Sequence, residues 1–155
     1  MNSNPEQHQA LTRARLIWGL TVLTVVPLPF VAGALTGMAW LAEVPDGPGK
    51  SWNLSAVVIG LVLMAGGLFA RNQAYKANWR GDVVSPQGYL RGNALLFSAL
   101  AAAGLVAFGI GVWQGLPTAI YQGAIVLVGL LVFNFPNGKA MLPQPPRLGE
   151  DGEPW

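Results

Sequence analysis

Cysteine is absent from the 155 residues, so disulfides, thiolate metal sites and thiol redox chemistry are excluded together. Histidine occurs once, as His8 in a polar N-terminal segment, which removes the axial pair that a bis-histidine haem site needs. Charge is also scarce. Only 10% of the residues are Asp, Glu, Lys or Arg, against 52% that are hydrophobic, too little charge to wet the surface of a soluble globule of this size.

The scarcity becomes complete in four runs, from Leu16 to Leu41, Leu54 to Ala70, Ala94 to Trp113 and Leu116 to Phe135, none of which holds an acid, a base or a histidine. Each is near the roughly 20 residues that a helical crossing of a bilayer requires. The expected fold is therefore all-α: a polytopic membrane protein of four transmembrane helices in one bundle. Residues 1–12 read as a polar N-terminal tail, 13–138 as the four-helix transmembrane domain, and 139–155 as a proline-rich, disordered tail. The first run is too long for a signal peptide's apolar core of about 7–15 residues, so it reads as a retained anchor.

The net charge of +2 is explained by topology, and no nucleic-acid partner is expected. Arg13 and Arg15 precede the first run, Arg71, Lys76, Arg80 and Arg91 surround the connection between the second and third, and Lys139 and Arg147 follow the fourth. Only Lys50 lies on the other side. The positive-inside rule then places both termini and the middle connection in the cytoplasm. The short loops and this bias suit a bacterial inner membrane. Trp40, Trp52, Trp113 and Tyr121 fall at the outer boundary, with Trp18, Tyr75, Trp79 and Tyr89 at the inner one, as amphipathic rings do at headgroup depth.

Pro27 and Pro29 remove backbone donors within the first run and should kink or break that helix, with Thr24 placed to bond a freed carbonyl. Such a break can line a substrate cavity. Gly33 and Gly37 form a GxxxG pair, and Gly66, Gly67 and Gly104 put small residues on other runs, where they allow the close helix packing that stabilises bundles in lipid. In the middle connection no breaker follows Ala70, so the second helix should leave the membrane and run to about Arg80, with Gly81 as its C-terminal cap. Ser85 and Pro86 read as N-cap and first residue of the next helix. The expected result is an extended cytoplasmic helical hairpin. Arg71, Tyr75, Lys76, Trp79 and Arg80 on one arm, with Tyr89 and Arg91 on the other, form a candidate contact for a lipid headgroup or other anion.

No Asp, Glu, Lys, Arg or His lies inside a run, although proton- or cation-coupled transport usually needs one there. Small multidrug exporters and rotary proteolipids each depend on a carboxylate at that depth, so neither fits. No nucleophile has a base at a recognisable spacing, and neither catalysis, metal nor cofactor is expected. Two readings remain: a non-catalytic accessory or structural subunit, packing with itself or with a larger membrane complex, and a protein that binds or translocates a lipid or small amphiphile. Membrane lipids, a protein partner or a second copy of the chain are the partners these readings imply.

Overall fold

Proline and glycine set the boundaries of the elements. In the computed structural model the described residues are 5–35, 49–114 and 117–143, with side chains described within 5–34, 58–112 and 123–143. Helix α1 spans Pro5–Val25, α2 Leu28–Leu35, α3 Gly49–Ala77, α4 Pro86–Gln114 and α5 Pro117–Phe133. Between α3 and α4 lies a small antiparallel hairpin of β1 (Trp79–Arg80) and β2 (Val83–Val84). A 3-10 turn at Lys139–Met141 follows α5.

The first apolar run breaks where its prolines fall. Helix α1 stops at Val25 and α2 starts at Leu28, with Val26 N donating to the Val22 carbonyl at 2.9 Å and Val31 N to the Pro27 carbonyl at 3.0 Å on either side. Thr24 Oγ1 donates to the carbonyl of Leu20 at 2.8 Å. That carbonyl lies four residues back on the intact helix, so Thr24 does not rescue one freed by proline, contrary to expectation.

Helix α4 is the axis of the molecule and packs against α1, α2, α3 and α5. Val25, Leu96, Phe97, Leu100, Ala103, Leu127 and Leu131 form the main buried cluster. The outward faces are just as apolar: Leu23 is 71% exposed, Phe30 71%, Ile125 72% and Phe133 90%. Apolar exposure on this scale marks a surface that meets lipid or a protein partner. The segments Pro5–Ala34 and Pro86–Val112 are long and apolar enough to cross a membrane.

Two expectations change at the end of the bundle that carries the hairpin. The segment expected to fray is helical from Pro5, because Ala10 and Ala14 bury against Val84, Tyr89 and Met141 and Gln7 Nε2 donates to the Met141 carbonyl at 3.1 Å. The expected tail is likewise folded through Met141, which is 3% exposed; residues 144–155 lie outside the described ones.

Gly81 does not cap α3, which ends at Ala77. It occupies the first position of a two-residue hairpin loop with φ 62°, a value that primed hairpin turns require and that glycine adopts without strain. The β-formers Trp79, Val83 and Val84 on either side pair as strands rather than extend the helix. Helix α4 begins at Pro86, and Gly88 N donates to Ser85 Oγ at 3.2 Å, the capping arrangement that Ser85-Pro86 predicts.

Candidate functional site

Nearly all the polar chemistry of the described residues gathers at the hairpin end, where α3 and α4 approach unusually closely. A methyl group at Gly67 would sit 2.7 Å from Ala99 Cβ, one at Gly92 would sit 2.5 Å from Tyr75 Cε1, and one at Gly88 would overlap Asn78 Cβ. Gly88 and Gly92 are four apart, one turn along the same face. This GxxxG pair was legible in the sequence and escaped the reading of packing residues above.

The close approach brings the two tyrosines together. Their rings stack with centroids 6.0 Å apart. Asn93 Nδ2 donates to Tyr75 Oη at 2.9 Å and to the Tyr89 carbonyl at 2.9 Å, and Gly138 N donates to Tyr89 Oη at 3.1 Å. Arg71 reaches across to the end of α5, where its Nη1 donates to Asn134 Oδ1 at 2.6 Å, and its guanidinium lies 5.9 Å from the Tyr75 ring centroid. A second clamp comes from α1: Arg15 Nε donates to the Pro136 carbonyl at 3.3 Å and its guanidinium covers the Phe135 ring, while Trp18 Nε1 donates to the Leu131 carbonyl at 2.9 Å and its ring meets Phe135 edge-on. These bonds tie three helices to the 134–138 segment.

The candidate headgroup cluster therefore divides. Arg71, Tyr75 and Tyr89 face inward and are engaged with neighbours. Lys76, Trp79 and Arg91 are exposed. Arg80, also exposed, lines a cavity of about 360 Å³ whose other walls come from Glu6, Gln9, Ala10 and Arg13 of α1, Asn78, and Ser85, Pro86, Gln87 and Leu90 at the start of α4. Sequence reasoning assigned Arg13 to topology alone, and the signal that it shares a wall with Arg80 is long-range, set by how α1 crosses α4.

The glycines expected to pack fall into different settings. Gly67 and Gly104 face neighbours, Gly104 lying between Val25 and Leu127, and Gly33 is buried in α2. Gly66 has open space before it and meets no neighbour among the described residues, because it lies about 100° around the helix from Gly67, which faces α4. Gly37 lies outside the described residues. Beside the break, Pro29 borders a void of only about 10 Å³ against Gly104, Phe108 and Leu127, the size of at most one water. Among the described residues, the void beside the kink is too small for a substrate.

Burial, with a smaller contribution from Tyr89, pushes the Tyr75 hydroxyl up to about 12, against the opposing effects of Arg71 and Asn93. An unfolded chain loses that proton near pH 10. The folded form therefore holds more protons above pH 10, and the stability it draws from a neutral Tyr75 is full below that pH and is lost as pH rises toward 12. Melting temperatures in detergent should fall over that interval, and Tyr75→Phe should flatten the fall.

Among the described residues no group of three or more His, Asp or Glu could hold a metal ion. No family model, curated protein or solved structure matches the chain.

Proposed function

We propose that the chain is a non-catalytic integral membrane protein that serves as an accessory or structural subunit, packing with a larger membrane complex or with a second copy of itself. On this reading α1 with α2, then α3, α4 and α5 are four spans, both termini and the β1–β2 hairpin face the cytoplasm, and the membrane is a bacterial inner membrane. The observation that carries the reading is the fate of the polar groups. Arg71, Tyr75, Tyr89, Asn93 and Asn134 bond to one another or to the backbone, so three of the seven residues that sequence marks as candidate chemistry, Arg71, Tyr75 and Tyr89, help close the end of the bundle. The runs themselves contain no Asp, Glu, Lys, Arg or His to carry a proton or an ion.

The absence of cysteine supplies a clean test of the topology. Single substitutions His8→Cys and Asp82→Cys should react with a membrane-impermeant maleimide only after cells are broken open, whereas Asp46→Cys should react in intact cells. The reverse pattern, or equal labelling of all three, would refute the four-span orientation. A lipid-binding role is the second reading, and the cavity between Arg13 and Arg80 is the observation that favours it.

A further inference from the structure

The cavity differs from the rest of the hairpin end in how its cations are used. Arg15 and Arg71 have hydrogen-bond acceptors and ring faces. Arg13 and Arg80 come from separate elements, α1 and β1, and line one cavity, yet no hydrogen bond or ion pair engages either guanidinium among the described residues. Among the described residues Glu6 is the only acid on the wall, which leaves one positive charge in excess there. Two planar five-donor forks bordering one space suit a multi-oxygen anion, which each can bind in bidentate fashion. The amides of Gln9 and Gln87 add neutral donors, while Asn78 spends one of its amide hydrogens on the Ala74 carbonyl.

The walls also limit what fits. At about 360 Å³ the cavity is in the range of small-molecule sites and too large for a carboxylate alone. Ala10, Pro86 and Leu90 give it an apolar side. Arg13 lies three residues before Leu16, which is 62% exposed and starts the apolar outward face of α1. At 1.5 Å per residue the cavity then sits about one turn outside that face, the depth of a phosphate headgroup if the membrane reading above holds.

We propose that Arg13 and Arg80 bind a phosphate group in this cavity, carried either by an anionic phospholipid or by a soluble phosphate compound. The site is distinct from the Arg71, Tyr75 and Tyr89 cluster, and it gives the second functional reading its location.

The test uses the full chain, stripped of lipid in a maltoside detergent at fixed ionic strength. Thermal unfolding is followed with added dioctanoyl-phosphatidylglycerol, with added inorganic phosphate, and with dioctanoylglycerol as a probe that lacks phosphate. At least one phosphate probe should raise the midpoint of the wild type by roughly 3 °C or more, dioctanoylglycerol should not, and Arg13→Gln and Arg80→Gln should each weaken apparent affinity about tenfold. Lys139→Gln removes an exposed cation that does not line the cavity and should behave as wild type. A response to the lipid alone assigns the headgroup source, and a response to inorganic phosphate assigns the soluble one and stands whether or not the chain spans a membrane. No response to either probe, or a response kept in full by both cavity variants, overturns the proposal. Should Arg80→Gln disturb the hairpin, Arg13→Gln decides alone, because Arg13 is an exposed position on α1.

Discussion

Replacing Gly88 with alanine should destabilise the protein by about 3 kcal/mol, the upper part of the range for forcing an extra methyl group into a packed interface. The added carbon would overlap Asn78 Cβ, which is fixed to the backbone just after α3 and cannot swing aside as a side-chain tip would. Gly92→Ala should behave similarly, since its neighbour is the Tyr75 ring 2.5 Å away, and that ring is held by Asn93 and Tyr89. Gly66→Ala is the control: nothing lies within 4 Å of the added carbon, and alanine's helix propensity makes the change neutral or stabilising by up to about 1 kcal/mol. Thermal unfolding in detergent measures all three, with an expected fall of roughly 6–12 °C for Gly88→Ala and none for Gly66→Ala. Equal behaviour of the two variants would mean that α3 and α4 do not meet along the Gly88–Gly92 face.

The second large effect concerns Arg71. Asn134→Leu removes the acceptor of its 2.6 Å hydrogen bond and leaves a cation whose Nε is already buried without a partner. Stranding such a group should cost about 2–3 kcal/mol. Arg71→Leu alone strands the smaller, neutral Asn134 and should cost less. The double variant should be more stable than Asn134→Leu, because the uncompensated charge is gone, and the cycle gives the coupling directly. Additive costs would show that Arg71 and Asn134 act independently.

The helices were legible because their signals are local. Pro27 and Pro29 lack donors, so the first helix had to break there, and Ser85-Pro86 is a start signal wherever it stands. The hairpin was missed because Gly81 suits a helix cap and a β-turn equally, and the choice rests on Trp79 and Val84 finding each other as strand partners. The site was harder to read. Arg71, Tyr75 and Tyr89 share the composition of a binding cluster, and only the positions of Asn93, Asn134 and Gly138, between 18 and 63 residues away in sequence, show that they are bonded within the fold. The same long-range geometry separates Arg80, which borders a cavity with Arg13, from its sequence neighbour Lys76, which does not.

These interactions describe a protein that uses its polar residues to fix its own end and leaves its apolar faces to the surroundings. The most direct test of the subunit reading is native mass spectrometry of the chain extracted in mild detergent from its own host. A protein partner, or a second copy, at fixed stoichiometry is the predicted result. A bare monomer under conditions that preserve other membrane complexes would contradict it.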